Sequence, residues 1–294
     1  MSVEKYKLIE HLLFPPARFD AQKLAEVVDG KTVLLTGATF GIGESVVELL
    51  SKTAAHLILV ARTAEKLEEI KATIEREKPN SKVTIFAVDL TKDEEIETLV
   101  DNLHRLPNGV DVFINNAGKS IRRSLFESLE RFHDYTRTMN LNYFAPVKLM
   151  LALVPILREN RGHVINISAV NVLLIPAPFW TAYQSSKTAF DQWFRSAAPE
   201  IEAVEIATTS IYLPLVRTRM IESTAEYKNA PAMASEHVAK IICRAIYTRR
   251  RIFKPWWLIF GQIASVVFRR PSEIFMNRWA EQKRGNKDAG TRTK

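Results

Sequence analysis

Tyr183 and Lys187 are the two side chains whose types and spacing first point to chemistry. Residues four apart share one face of a helix, so a helix here would place the Lys187 ammonium beside the Tyr183 phenol. A free tyrosine has a pKa of about 10, and forming the tyrosinate at pH 7 costs about 4 kcal/mol. A neighbouring positive charge lowers that pKa towards the working range of a general acid or base. The pair therefore predicts catalysed proton transfer at Tyr183.

A glycine-rich turn follows the first apolar run and precedes a helical pattern at Glu44–Lys52. Glycine allows a tight turn off a strand, close approach of the backbone to a ligand and close packing of the helix on the sheet. The N-terminus of the helix adds amide donors and a positive dipole end, which favour phosphate. A turn in this context predicts a pyrophosphate site. Its residues are Gly37, Thr39, Phe40, Gly41, Ile42 and Gly43.

Arg62 ends the second apolar run, where an NAD-preferring fold usually presents an acid to the ribose 2′-hydroxyl. A guanidinium there can pair with a 2′-phosphate instead; the alternative is a solvated residue at a helix start. Asp89 and Leu90 follow the third run. Asp89 is expected either to accept from the adenine amino group or to serve as an acid at a helix N-terminus. The predicted cofactor is therefore NADP.

The elements that must position these residues alternate along the chain. Charged, helix-favouring segments occur at Ala64–Glu77 and Lys92–Leu106, the second preceded by Thr91 as the expected N-cap. The apolar runs between helices are apolar at successive positions, as strands covered on both faces are. This order predicts an α/β domain with a doubly wound parallel sheet, the Rossmann fold. The predicted strands are Thr32–Leu35, His56–Val60, Val83–Val88, Val110–Ile114, His163–Ile167 and Ile206–Tyr212.

Length and composition limit the possible domain organisation, metal sites and location of the protein. Its 294 residues, 47% of them hydrophobic, suffice for one full-sized core. We expect an N-terminal extension at 1–30, the NADP-binding catalytic domain at 31–250, and an apolar helix with a basic tail at 251–294. Cys243 is the only cysteine, so a disulfide or cysteine-based metal cluster within the chain is excluded, and no metal site is expected. Neither a signal-peptide core nor a spanning stretch is recognised, which favours a cytoplasmic or peripheral protein.

Three motifs occur in a fixed order: the glycine turn at Thr36–Gly43, then Asn115–Gly118, then Tyr183–Lys187. Together they resemble the short-chain dehydrogenase/reductase family over roughly residues 30–250. The resemblance implies that Asn116, Ala117 and Gly118 lie against the cofactor. It also implies a proton-relay asparagine, matched by Asn142 rather than by Asn140, and a homodimer or homotetramer.

The chain departs from the family pattern at two places. Family members usually carry a Ser-Ser pair ahead of the tyrosine, whereas this chain has Ser168–Ala169, with Ser168 lying 15 residues before Tyr183. Ser168 is expected to orient the substrate oxygen, with Asn171 or a backbone amide as the substitute. The second departure is the segment after the sixth strand, which lacks the glycine usual after its proline. Its residues expected at the nicotinamide are Pro214, Val216 and Thr218.

The substrate is expected to be a hydrophobic small molecule. Within the family, the segments 116–124, 131–134 and 213–218 resemble bacterial reductases that act on fatty acyl and long β-ketoacyl groups. The apolar stretch Leu173–Trp180 would lie beside the site, as an apolar entrance or as ordinary core.

The expected function is that of an NADP-dependent oxidoreductase that transfers hydride between NADP(H) and a carbonyl or alcohol group. Tyr183 would protonate the developing alkoxide beside the nicotinamide, and Lys187 would also hold the nicotinamide ribose hydroxyls. The alternative function is a non-enzymatic NADP-binding protein that acts in sensing or assembly.

The net charge of +8 is concentrated at the C-terminal end, since 249–294 holds 12 basic and 3 acidic residues. No zinc-finger spacing or RNA-binding signature accompanies this charge, so a nucleic-acid partner is not expected. The segment 249–270 combines basic flanks with tryptophans and an apolar stretch too short to span a bilayer. It predicts either peripheral membrane contact or a helix packed at the cleft or at a subunit interface.

Overall fold

The computed structural model describes residues 3–78, 81–222, 227 and 230–291, so the extreme ends of the predicted extension and basic tail lie outside the described residues. Seven parallel strands form one sheet in the order β3-β2-β1-β4-β5-β6-β7. This confirms the predicted doubly wound sheet. The strands are β1 Thr32–Thr36, β2 His56–Ala61, β3 Lys82–Ala87, β4 Val112–Asn115, β5 His163–Ala169, β6 Ala207–Leu213 and β7 Ile252–Phe253.

Helices cover both faces of the sheet, which explains why the strands are apolar at successive positions. In β1, Val33 and Leu35 enter one buried cluster and Leu34 enters the other. Burial of both faces requires this pattern in a parallel sheet. The helices are α1 Val3–Leu13, α2 Ala21–Val28, α3 Ile42–Leu50, α4 Ala64–Glu77, α5 Asp93–His104, α6 Phe132–Met139, α7 Ala145–Glu159, α8 Thr181–Ala203, α9 Arg219–Glu222, α10 Ser235–Thr248, α11 Leu258–Val267 and α12 Arg269–Thr291.

The crevice that positions the site follows from strand order. The direction of strand addition reverses between β1 and β4, which are neighbours in the sheet. The connections leaving these two strands therefore part to opposite faces. Ligands of open α/β sheets bind at such a point, outside the carboxyl ends of the strands. The glycine turn follows β1 directly and Asn116 follows β4 directly, so both predicted motifs lie at this crevice.

Several boundaries differ from the sequence expectation. The helix after the glycine turn begins at Ile42, two residues earlier than predicted, and β4 begins at Val112 rather than Val110. Thr91 is not an N-cap, because Lys92 occupies that position of α5. The Thr91 amide and hydroxyl instead donate to Asp89 Oδ1 at 3.0 and 2.8 Å, forming a local turn.

The N-terminal extension packs on helix α10 and on the segment before α11. The Ala17 amide donates to His237 Nε2 at 3.1 Å, and the Asp20 amide donates to the Tyr247 hydroxyl at 3.1 Å. Both partners belong to α10. Further along, the Trp256 indole donates to the Leu12 carbonyl at 3.0 Å. Helix α1 and the segment before α11 are therefore in direct contact.

One continuous helical segment, residues 132–159, is long and apolar enough to cross a membrane by length and composition. The sequence analysis expected no such stretch. The segment joins α6 and α7 through a π-helical turn at Asn140–Phe144. Besides Ala145, four larger apolar side chains of α7 are buried in one core cluster, so part of this hydropathy belongs to the core of the domain. They are Leu149, Met150, Leu153 and Leu157.

Candidate active site

The glycine turn between β1 and α3 has the backbone conformations that its sequence predicts. Gly37 and Gly41 have φ of +71° and +56°, a region that side chains disfavour. A Cβ on Gly43 would lie 2.0 Å from the Gly37 carbonyl oxygen, so only glycine lets α3 begin this close to the strand. The turn leaves the N-terminus of α3 open to the crevice, as binding of a pyrophosphate requires.

The asparagine directly after β4, Asn116, ties the end of this strand to the glycine turn. The Asn116 amide donates to the carbonyl oxygens of Thr36 and Gly37 at 3.0 and 3.1 Å. The Thr36 hydroxyl in turn accepts from the Asn116 and Ala117 backbone amides, both at 3.1 Å. These bonds fix the floor of the crevice, and Ala117 and Gly118 continue along it.

Arg62 and Asp89 lie at the end of the crevice beyond β2 and β3. Arg62 is exposed and lines the cleft together with Leu90. Burial alone would raise the pKa of Asp89, but hydrogen bonds from Thr91 and the charge of Arg62 outweigh it and lower that pKa. Asp89 is not among the residues that line the cleft, and its carboxylate already accepts from Thr91. Of these two charged residues, Arg62 rather than Asp89 faces the cleft.

Asn142 lies in the π-helical turn between α6 and α7, a kind of distortion frequent at functional sites. Its Oδ1 accepts from the Lys119 amide at 2.8 Å, and its Nδ2 donates to the Lys119 carbonyl at 2.9 Å. The same Nδ2 lies 2.9 Å from the Ser186 hydroxyl of α8. Asn142 therefore joins the segment after β4 to the helix that carries Tyr183. A Cβ on Gly118 would lie within 3.4 Å of both Asn142 Oδ1 and Lys187 Nζ, so these groups converge.

Tyr183 and Lys187 share the first turns of α8, as the spacing predicts. The expected lowering of the tyrosine pKa is wrong, because burial, with a contribution from Tyr227, raises the pKa of Tyr183 to about 12. Burial lowers the pKa of Lys187 to about 8, opposed by the charge of Asp191. The Lys187 ammonium donates to the Ile167 carbonyl at 3.1 Å. Tyr183 thus holds its proton at neutral pH, as a proton donor must.

Ser168 and Asn171 both line the cleft near the end of β5. The Ser168 hydroxyl donates to the buried carboxylate of Asp191 at 3.2 Å, so its one proton is engaged away from a substrate. Asn171 lies in a 3₁₀ turn, Val170–Leu173, and its side-chain Oδ1 is buried without a hydrogen-bond partner among the described residues. Its backbone carbonyl accepts from Gln184 at 2.7 Å, which fixes the turn.

The segment after β6 lies over the glycine turn. Its backbone pairs with Met233, since Arg217 donates to the Met233 carbonyl at 2.9 Å and Met233 donates to the Leu215 carbonyl at 2.8 Å. The Thr218 methyl would lie 2.8 Å from a Cβ on Gly41. Glu10 of α1 forms an ion pair with Arg217 and accepts from the Ala232 amide at 3.1 Å. Glu10 of α1 therefore contacts both stretches of chain that meet at the Val216–Met233 bridge.

These elements enclose a cleft of about 1250 Å³. Most of the predicted residues line it, whereas Gly43, Asp89 and Asn142 are not among its lining residues. Its charged lining residues are all basic, and no Asp or Glu occurs among the described residues that line it. These cations are Arg62, Lys119, Arg122, Lys187 and Arg219.

Three of those cations were not singled out from the sequence: Lys119, Arg122 and Arg219. Two of them follow a predicted motif, Asn115–Gly118, by one and four residues, which is the signal that could have identified them. Arg219 lies over the Phe40 ring at 4.3 Å, so it spans from the covering segment to the glycine turn. Of the apolar entrance expected at Leu173–Trp180, Ala177 and Trp180 line the cleft. Phe179 instead packs against Trp279 of α12, with ring centroids 5.3 Å apart.

A glycine turn at a parallel-sheet switch point, facing a helical tyrosine and lysine, defines a nucleotide-dependent oxidoreductase site. The model of the short chain dehydrogenase family matches residues 31–229, and the chain belongs to this family. The fatty acyl-CoA reductase of Acinetobacter baylyi is 42% identical over 244 residues, which cover 83% of this chain and 81% of that protein. A fatty acyl-CoA reductase of Mycobacterium tuberculosis is 37% identical over 221 residues, 75% of this chain and 74% of that one.

Solved structures share the fold. A short-chain dehydrogenase from Sphingobium yanoikuyae in complex with NADPH superimposes with a TM-score of 0.71 at 21% identity, covering 83% of this chain and 95% of that one. The L-sorbose reductase of Gluconobacter frateurii, complexed with NADPH and L-sorbose, gives a TM-score of 0.70 at 22% identity, covering 80% and 98%. Family and relatives together make this chain an oxidoreductase, in preference to the non-enzymatic alternative.

Proposed function

We propose that this oxidoreductase uses NADPH to reduce a carbonyl group of a hydrophobic, acyl-chain substrate, with Tyr183 as the proton donor. The observation that carries the proposal is the cleft itself, which begins at the glycine turn, is lined by Tyr183 and Lys187, and has only basic residues among the described charged residues of its lining. Reduction of a carbonyl needs a hydride and a proton. The cofactor supplies the hydride, and a phenol whose pKa is raised to about 12 supplies the proton.

The choice of NADP follows from the charges around the cleft. Arg62 stands where an NAD-binding fold would place an acid, and Asp89 nearby is engaged by Thr91 rather than presented to a ribose. Lys119 shares this region, since the charge of Arg62 contributes to the lowered pKa of Lys119, after burial and the charge of Arg137. A second positive charge within electrostatic range of Arg62 adds to the attraction for a ribose 2′-phosphate. The residues predicted for the pyrophosphate and nicotinamide keep those roles in the proposal.

The chain's own residues would act in sequence around the substrate oxygen. Tyr183 donates its proton to the oxygen as negative charge develops there. Lys187 holds a positive charge close to Tyr183 and stabilises the tyrosinate that remains. Asn142 bridges the Lys119 backbone to Ser186 on α8 and so positions the helix that carries Tyr183 and Lys187.

We assign to Asn171, in place of Ser168, the role of donating a hydrogen bond to the substrate oxygen. The Ser168 hydroxyl has a single proton, which it donates to Asp191. That carboxylate also accepts from Tyr212 and lies near Arg195, so it is part of a buried structural network. The Asn171 amide lines the same cleft without such a commitment and carries two N–H donors. The residue that follows Ser168 is alanine, which offers no hydroxyl.

The acyl nature of the substrate rests on two supports. The two relatives described above carry the name fatty acyl-CoA reductase. The wall of the cleft beside Tyr183 is apolar, with Trp180 in edge contact with the Tyr183 ring at 5.7 Å and stacked on Tyr227 at 6.1 Å. Such a wall suits an alkyl chain better than a sugar.

The test is a substrate panel with purified protein. NADPH oxidation is followed with long-chain aldehydes, long-chain acyl thioesters and β-ketoacyl thioesters, and products are identified by mass spectrometry. Hexoses and short polar ketones serve as the contrasting set. The proposal is refuted if activity is confined to the polar set, or if NADH serves as well as NADPH. A cytoplasmic location and a homodimeric or homotetrameric assembly remain predictions.

A further inference from the structure

An exposed apolar face runs along α11 and the residue pair before it. Its successive members are one or three residues apart, which places them on one side of a helix. Their exposed fractions range from 48% to 78%. We call this set the α11 apolar face: Trp256, Ile259, Phe260, Ile263, Val266 and Val267. Large apolar side chains so exposed and so close together mark an interaction surface.

The opposite side of α11 is packed, so the orientation of the helix is fixed. Leu258 is fully buried. A Cβ on Gly261 would lie 2.9 Å from the Leu174 side chain, and the Ser265 hydroxyl accepts from the Ile175 amide at 3.3 Å. The helix therefore lies close against the segment after β5, with its apolar face outward.

The charges around the α11 apolar face indicate what kind of partner it binds. No Asp or Glu occurs from residue 237 to residue 272, whereas Lys254 precedes α11 and Arg269 and Arg270 follow it. Lys254 and Arg270 are exposed, and Lys254 is hydrogen-bonded to the neutral Gln262. Basic residues at both ends of an apolar helix face complement an anionic surface with an apolar interior.

We propose that the α11 apolar face lies on an anionic lipid bilayer, making the protein a peripheral membrane enzyme. Ten residues of helix extend about 15 Å, half of the bilayer's hydrocarbon thickness of about 30 Å, so α11 lies in the interface and does not span it. Leu8 and Leu12 of α1, also exposed, extend the apolar surface beyond the Trp256–Leu12 hydrogen bond.

This docking would bring the cleft to the membrane. The segment that α11 packs against leads into Ala177 and Trp180, which line the cleft, and Phe179 between them contacts α12 through Trp279. A long-chain substrate dissolved in the bilayer would meet the cleft without crossing water. This consequence rests on the proposed function, whereas the docking itself does not.

The test is flotation of the full-length protein with phosphatidylcholine vesicles, with and without phosphatidylglycerol. We expect wild-type protein to float with the anionic vesicles and to detach as salt is raised. The variant F260Q/I263Q/V267Q should bind on the order of a hundredfold less, because three apolar side chains no longer enter the interface. The variant K254Q/R270Q should bind about 30-fold less, since each basic residue near an anionic leaflet contributes about 1 kcal/mol.

The matched control changes three exposed apolar residues elsewhere, L125Q/L129Q/F132Q, whose exposed fractions are 57%, 75% and 74%. It should float like wild type, and circular dichroism melting should show that every variant is folded. The proposal is wrong if wild type does not float, or if the α11 variant floats as well as wild type. It is also wrong if light scattering shows that the α11 variant converts a dimer to a monomer without any loss of vesicle binding, because a second copy then covers the face. None of these measurements uses NADPH or a substrate, so a negative result would not count against the proposed reaction.

Discussion

Substitutions at Ser168 and Asn171 should separate a structural role from a catalytic one. Ser168→Ala removes a hydrogen bond to the buried Asp191 carboxylate, leaving Tyr212 and Arg195 as its partners. A hydrogen bond to a charged group contributes about 1.5–3 kcal/mol. At about 2–4 °C of melting temperature per kcal/mol for a chain of this size, we expect Tm to fall by about 3–12 °C.

Asn171→Ala should behave in the opposite way. Its side-chain oxygen has no partner among the described residues, so stability should change little. Loss of one donor to a developing oxyanion costs about 10²–10³ in kcat, and we expect kcat to fall by that factor. Asn171→Asp is the sharper variant, because it keeps the shape of the side chain and removes the N–H donors.

The assay pairs steady-state NADPH oxidation with differential scanning calorimetry on the same preparations. Ser168→Ala measured below its own melting range should retain kcat within a few-fold of wild type. The reasoning is refuted if Ser168→Ala lowers kcat by about 10² or more with Tm unchanged, while Asn171→Ala is fully active. Ser168 would then rotate its hydroxyl towards the substrate during turnover, as the sequence pattern first predicts.

Three further predictions concern the remaining groups. Tyr183→Phe should lower kcat by about 10²–10⁴ and leave the fluorescence-measured NADPH affinity within a few-fold, because the ring still packs on Trp180; a variant that retains most of its kcat would contradict the proton-donor role. Arg62→Ala should raise KM for NADPH by about tenfold to a few hundredfold and leave KM for NADH unchanged; a parallel rise in both would show that Arg62 does not read the 2′-phosphate. The rate of reduction should fall above pH about 8, because burial lowers the pKa of Lys187 to that value and the ammonium is lost as pH rises through it, while Tyr183 stays protonated; a kcat/KM profile that is flat to high pH would exclude that dependence.

The fold could be predicted from the sequence because its signals are local. Each of the first six strands is an apolar run followed by a helix or a turn motif, and α4 has the predicted ends, Ala64 and Glu77. Strand β7 was not predicted, because it is only two residues long, Ile252–Phe253, and is defined by its pairing with β6. A two-residue apolar run has no periodicity of its own.

The chemistry at the site depends on burial and on contacts between residues distant in sequence, which residue spacing does not reveal. The four-residue spacing places Lys187 beside Tyr183, but whether charge or burial dominates the Tyr183 pKa is decided by the enclosing walls. The partner of the Ser168 hydroxyl, Asp191, lies 23 residues away in sequence. The π-helical turn at Asn140–Phe144 likewise has no sequence mark that separates it from ordinary helix.

Helix α1 contacts two regions with different partners. Glu10 holds the segment that covers the glycine turn, and the carbonyl of Leu12 accepts from Trp256 at the start of the α11 apolar face. The two contacts lie less than one helical turn apart on the same helix. If a nucleotide in the cleft changes how α1 docks, thermodynamic linkage requires reciprocity: bilayer contact then changes nucleotide affinity by the same factor by which the nucleotide changes bilayer affinity. Helix α1 would then couple binding of the nucleotide in the cleft to binding of the protein to the bilayer.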